Sequence, residues 1–215
     1  MKSYPSRAWY LMLYVKKHWR TLFSILLLVW VIFSISAYAR FQNRNLRNFL
    51  VVDPGVLYRS GQLSAKGLAK ILYEHNIGTV INLRGNSQGQ QNASVIMEEE
   101  VCFKNFVQHV TLPLGSTEQR AQATAEEAHA LVDKAAQQFL QILSDPITYP
   151  RPILVHCLAG IHRTGVMAAL YRMEIQGWSK EHALAEMKAL GYDNFVQYDP
   201  VRDYVVHWSP TPKKK

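Results

Sequence analysis

Residues 21–39, TLFSILLLVWVIFSISAYA, form a run of nineteen residues without a single charge. As a helix this run spans about 28 Å, close to the hydrocarbon thickness of a bilayer. A buried core helix rarely extends so far without a polar stripe. Lys16, Lys17 and Arg20 precede it, and Arg40, Arg44 and Arg47 follow it. Trp9, Tyr10, Tyr14, Trp19 and Trp30 have side chains suited to the interface or to lipid. A transmembrane anchor over residues 21–39 is the expectation. Its rival is a cleaved signal peptide, because Ala37-Tyr38-Ala39 has the form of a cleavage site. The 20 residues ahead of the run are long for a signal n-region, which favours the anchor. Five cations before the run against three just after it place the N-terminus in the cytoplasm. Residues 40–215 then lie outside, on the periplasmic side of the cell membrane.

The net charge of +8 would suit a nucleic-acid surface if it were spread over the fold. It is not. Eight cations precede the first acid, Asp53, and the rest of the chain carries 16 cations against 16 anions. Basicity confined to the N-terminal fifth points to a membrane surface and away from nucleic acid as a partner. The expected organisation is a basic segment 1–20, the anchor 21–39, a polar linker 40–52, a folded domain 53–208 and a basic tail 209–215.

From Asp53 onward short apolar runs alternate with helical periods, the pattern of an α/β domain with a mostly parallel central sheet flanked by helices. Strands are expected at Val56–Tyr58, Thr79–Leu83, Phe106–Leu112 and Ile153–His156. Helices are expected from a Ser64 cap to Glu74, at Ser94–Lys104, Thr124–Leu143 and Thr164–Gln176, and from a Ser179 cap to Leu190, with a last one starting at Pro200. Arg84–Asn92 reads as a polar loop. Glu98-Glu99-Glu100 reads as a solvated helix face, since no spaced carboxylates or histidines accompany it.

Chemistry concentrates in Ile153–Gly165, ILVHCLAGIHRTG. A cysteine follows a strand, five residues intervene, and Arg163-Thr164-Gly165 opens a helix. Successive N–H groups of Leu158, Ala159, Gly160, Ile161 and His162 at such a helix start can converge on a tetrahedral dianion, aided by the helix dipole. Gly160 and Gly165 are expected to permit the tight backbone path. Arg163 brings a planar fork for two phosphate oxygens. The same positive potential lowers the pKa of Cys157 and makes its thiolate a nucleophile for phosphorus. His156 would orient the loop and Thr164 would stabilise the thiolate as leaving group. No metal or cofactor is needed. With two cysteines in the chain there is no disulfide framework. Cys102, beside Val101 and Phe103 on a helix, reads as an inert core thiol.

HCLAGIHRTG resembles the phosphate-binding loop of the protein tyrosine and dual-specificity phosphatase superfamily, and most of all its compact bacterial group, whose members are often exported or membrane-tethered. Leu57-Tyr58-Arg59-Ser60 and Thr79–Arg84 resemble that group's first strands, and Gln176-Gly177-Trp178 with Ala183, Glu186 and Met187 its later helices. The likeness covers about residues 55–195. It implies a dual-specificity phosphatase-like fold and a cysteinyl-phosphate intermediate, with a phosphorylated protein or another phosphomonoester as partner. The group usually places an Asp general acid after its third strand. Here that loop reads LPLGSTEQ, and Glu118 is its only acid and the candidate. A solvated loop glutamate is the alternative. His109 reads as structural; His162 either adds charge to the site or orients the loop.

Three further readings stay open. The loop has no lysine, which disfavours highly charged inositol phosphates, yet anchoring keeps phosphoinositides possible. A catalytically weak phosphate-binding module fits the missing Asp but not the retained Cys157 and Arg163. A sulfurtransferase of the rhodanese kind also cradles an anion, on a loop one residue shorter and without Arg-Thr-Gly.

Overall fold

In the computed structural model the residues described are 7–84, 93–115, 123–192 and 200–210. They divide into two units, Met1–Asn43 and Arg44–Lys215. The first holds most of helix α1 (Arg7–Asn45). Within it Lys16–Tyr38 has a mean hydropathy of 2.2 with none of it buried, and is long and apolar enough to cross a membrane. A signal sequence meets the same test of length and composition.

The second unit is built on a five-stranded sheet. Its strands are β1 (Leu50–Asp53), β2 (Leu57–Ser60), β3 (Thr79–Asn82), β4 (Gln108–Thr111) and β5 (Ile153–His156). The order across it is β1-β2-β5-β3-β4. Only the β1–β2 pair is antiparallel; β2–β5, β5–β3 and β3–β4 run parallel. The helices are α2 (Ala65–Glu74), α3 (Ala93–Lys104), α4 (Ala125–Ser144), α5 (His162–Glu174), α6 (Lys180–Ala189) and α7 (Pro200–His207).

Every residue of β2, β3 and β5 is buried, as expected of parallel strands covered on both faces. Side chains alternate between two cores. Leu57, Ile81, Ile153 and Val155 point into the larger, shared with Phe139 of α4, Leu170 of α5 and Val205 of α7. Tyr58, Val80 and Leu154 point into the smaller, with Leu68 and Ile71 of α2 and Cys102 of α3. Full burial of one such side chain contributes roughly 1.5–3 kcal/mol. Ser64 accepts from the Gly67 N–H at the start of α2, and Thr124 with Glu127 forms a reciprocal capping box at α4.

Three expectations need correction. The stretch 40–52, read as a linker, ends in β1, whose Leu50 and Val51 pair with Arg59 and Tyr58. Helix α5 starts at His162, two residues before Thr164. Glu98 is not solvated: it is 1% exposed while Glu99 and Glu100 face out. The reason is helical spacing, since Val95, Glu98 and Cys102 share one face of α3 and that face packs on the sheet. The polar loop expected at Arg84–Asn92 falls, beyond Arg84, outside the described residues.

Candidate active site

Cys157 sits directly after β5, at the carboxyl end of the parallel sheet, where open α/β sheets place their ligands. Residues 158–161 then turn into α5. The cap position of that helix is Ile161, which supplies no side-chain hydrogen bond. The start of α5 thus has no side-chain cap, and helix starts favour an anion in that place. Within the loop the N–H groups of Leu158, Ala159 and Ile161 donate to no acceptor among the described residues.

The sulfur is enclosed, 2% exposed. Burial alone would raise its pKa. The donors of Thr164, the Arg163 charge and the Gly160 N–H favour the thiolate, outweigh that and hold it below the usual thiol range. The Gly160 N–H lies 3.2 Å from Sγ. Thr164 Oγ1 is buried without a hydrogen-bond partner, sulfur included, so the Gly160 N–H is the group that bonds Sγ and the Thr164 hydroxyl stands by as a further donor for the thiolate. Arg163 is braced by its Nη1, which donates to the carbonyls of Leu83 at 3.1 Å and Gly115 at 3.3 Å. Cys102 is the contrast: burial, with Glu98 and Glu99 nearby, pushes its thiol up to about 12.

This contrast makes a measurable prediction. Alkylation of Cys157 by iodoacetate should have its midpoint below the ~8.5 of an ordinary thiol. The rate should fall as pH drops through that midpoint, because the thiolate then takes up a proton. Cys102 should stay unlabelled across the neutral range. A midpoint at or above the ordinary value would contradict the geometry.

The loop is held from outside by residues that the sequence reading did not single out. Arg59, 2% exposed on β2, donates through Nη2 to the Gly160 carbonyl at 2.7 Å. Burial lowers its pKa from the ordinary arginine value. Asn48 reaches the Ala159 carbonyl at 2.8 Å, and Gln62 N–H the Leu158 carbonyl at 3.0 Å. Gly160 adopts φ +76°, and a Cβ there would stand 2.4 Å from Gly61 N. Gly165 differs from expectation: a Cβ would meet only ordinary contacts, the nearest at 3.6 Å, so that position does not require glycine. A buried arginine between Tyr58 and Ser60 in an otherwise enclosed strand was the one available signal for Arg59. Asn48 offered none.

Of the other expected site residues, His156 is buried and its Nδ1 lies 3.4 Å from the Cys157 carbonyl oxygen. Leu158 is 45% exposed at the mouth of the loop. Ile161 packs against the larger core. The His162 ring meets Tyr192 edge-on at 4.9 Å, so it braces the loop against the chain following α6. Glu118 lies outside the described residues.

A strand-end cysteine, an uncapped helix start and an arginine at the second helical position are the arrangement expected of a cysteine-dependent phosphatase. The profile of the tyrosine phosphatase family matches residues 43–186, and the chain belongs to that family. Dual specificity protein phosphatase TpbA of Pseudomonas aeruginosa is 48% identical in strain UCBPP-PA14 and 46% in strain PAO1, over 52 residues. Those residues make up 24% of this chain, and the match spans only 22% of the relatives' length. The crystal structure of P. aeruginosa TpbA superposes with a TM-score of 0.51 at 24% identity, covering 75% of this chain and 85% of that one. The core catalytic domain of the PP-IP phosphatase SIW14 from S. cerevisiae gives 0.55 at 18% identity, covering 75% and 85%. These likenesses establish the fold.

Proposed function

We propose that the chain hydrolyses phosphate monoesters through a cysteinyl-phosphate intermediate on Cys157, with protein phosphotyrosine as substrate. The observation that carries this reading is the enclosed Cys157 sulfur, held below the ordinary thiol range beside Arg163 at the start of α5. In the first step the thiolate attacks phosphorus, the S–P bond forms, and the bond to the leaving oxygen breaks. Glu118 gives that oxygen its proton. In the second step water attacks, Glu118 takes the water proton, and the S–P bond breaks. The thiolate leaves with support from Thr164.

The absence of lysine between Cys157 and Arg163 favours a dianionic ester over a highly charged inositol phosphate. A TpbA variant has been crystallised with pTyr, which supports the same substrate class here. With the apolar helix retained as an anchor, the enzyme would work at a membrane, on its outer face by the cation bias around residues 21–39.

The test is phosphate release by the full chain in detergent, from an aryl phosphate, an alkyl phosphate, a phosphotyrosine peptide and an inositol hexakisphosphate. Glu118→Gln should slow the alkyl ester by about 10²-fold or more and the aryl ester far less, since only the poorer leaving group needs the proton. Equal loss on both esters would remove Glu118 from the acid role. Turnover of the inositol phosphate alone would overturn the phosphotyrosine assignment. Binding of phosphopeptide without turnover would leave a phosphate-binding module.

A further inference from the structure

The fully buried carboxylate of Glu98 belongs to no step of that chemistry, yet it is the most heavily bonded side chain near the loop. Its Oε1 receives His156 Nε2 at 2.8 Å, His109 Nε2 at 2.8 Å and Asn82 Nδ2 at 3.0 Å. Its Oε2 receives Gln62 Nε2 at 2.8 Å. Three donors converge on Oε1 and one on Oε2, so the carboxylate is bonded through both oxygens. Burial alone would raise the Glu98 pKa; the bonds from His109, His156 and Gln62 outweigh it and keep the group ionised far below its usual range.

The four donors come from four adjacent strands in sheet order: Gln62 just past β2, His156 ending β5, Asn82 ending β3 and His109 in β4. Asn82 and His156 are direct partners across β3 and β5. The amide orientations are consistent in a second layer. Gln62 and Asn82 each turn an NH₂ to Glu98, and each offers its oxygen to Arg84, at 2.9 Å from Nη1 and 2.8 Å from the backbone N–H. Flipping either amide would set donor against donor. Arg84 Nη1 also reaches Ser94 Oγ on α3 at 2.8 Å.

Two of the four donors lead directly to Cys157. His156 directly precedes it in the chain, so the ring whose Nε2 meets Glu98 at 2.8 Å is joined to the nucleophile through the backbone. Gln62 bonds Glu98 with its side chain and the Leu158 carbonyl with its backbone N–H at 3.0 Å. The residues immediately before and after the nucleophile are thus tied to one carboxylate.

We propose that Glu98 is a positioning residue of the phosphatase site, clamping both shoulders of the phosphate-binding loop through His156 and Gln62 so that Cys157 meets its hydrogen-bond donors. This rests on Cys157 being the nucleophile of the reaction proposed above. The clamp acts on the geometry by which Thr164, Gly160 and Arg163 stabilise the thiolate; Glu98 itself touches no substrate. His109 closes the carboxylate on the far side without contacting the loop.

The sign of one measurement separates positioning from plain electrostatics. Removing a negative charge near a thiol lowers the thiol pKa. Loosening the loop raises it, because the donors then lose their aim. Glu98→Gln keeps size but presents an NH₂ to groups that are themselves donors. In the full chain in detergent, the iodoacetate midpoint of Cys157 should therefore move up by about one pH unit, with alkylation near pH 6 slowed about tenfold. With an aryl phosphate, kcat should fall about tenfold or more while KM changes less than about threefold. His109→Gln, which still donates to Glu98, should leave the midpoint in place. An unmoved or lowered midpoint in Glu98→Gln, with only the melting temperature reduced, would overturn the proposal.

If Glu98→Gln does not fold, the pair His156→Gln and His156→Leu asks the same question. The glutamine amide can still donate to Glu98 and should keep the midpoint closer to that of the parent than leucine does. Equal midpoints in the two would overturn the clamp. Alkylation reads the thiol without turnover, so absence of phosphatase activity in the parent chain would sink the reaction and leave this measurement intact.

Discussion

Cys157→Ser should abolish phosphate release, by about 10⁴-fold or more, while the protein still binds phosphopeptide. The reason is protonation. The site holds a sulfur below its ordinary range by the Thr164, Gly160 and Arg163 contacts. A serine hydroxyl ionises far too weakly for the same contacts to produce an alkoxide at neutral pH. Side-chain size barely changes, so the loop should keep its shape and its affinity for the anion. Arg163→Lys is the informative companion. It keeps the charge but loses the fork and the brace to Leu83 and Gly115, and should cost about 10²-fold or more in kcat. Phosphate release by Cys157→Ser at a rate near that of the parent would place the chemistry elsewhere.

The second large effect is one of backbone geometry. Gly160→Ala should destabilise the domain by about 2–4 kcal/mol and remove activity. An alanine at φ +76° carries the left-handed penalty. Its Cβ would also press on Gly61 N at 2.4 Å and Ser60 C at 2.5 Å, backbone atoms of a central strand and its continuation that cannot rotate away. For a chain of this size the loss corresponds to a melting temperature lower by roughly 5–15 °C. Gly165→Ala should do the opposite. Its nearest neighbours, Tyr192, Arg59 and Met187, lie at 3.6–3.9 Å, and α5 gains helix propensity of up to about 1 kcal/mol. Thermal unfolding of the two variants side by side checks both expectations. A tolerated Gly160→Ala would mean that the loop does not approach β2 as closely as described.

Glu98 and Arg59 show why part of the site stayed hidden. In a run of three glutamates nothing in composition separates the first from the others. Only the spacing Val95, Glu98, Cys102 hints at a shared face, and that hint acquires meaning once the face lies against the strand ends. Arg59 reads in sequence as one residue of a short strand; its donation to Gly160 crosses a separation of 101 residues. Asn48, in a stretch that reads as linker, reaches Ala159 across 111.

What the sequence determined by itself was whatever depends on neighbours along the chain. The nineteen uncharged residues give a helix apolar enough for a bilayer, and β-branched runs between capped helical periods give a mostly parallel sheet. A cysteine and an arginine at a fixed distance across a strand-to-helix turn give the loop proposed to bind phosphate, because that chemistry would be carried by consecutive backbone N–H groups. Tertiary structure alone decided which distant groups hold that loop still. Glu98, Arg59, Asn48 and Gln62 act by hydrogen bonds between segments far apart in the chain. Such bonds leave no local pattern, since their geometry exists only after the strands are ordered β1-β2-β5-β3-β4 and the helices cover both faces.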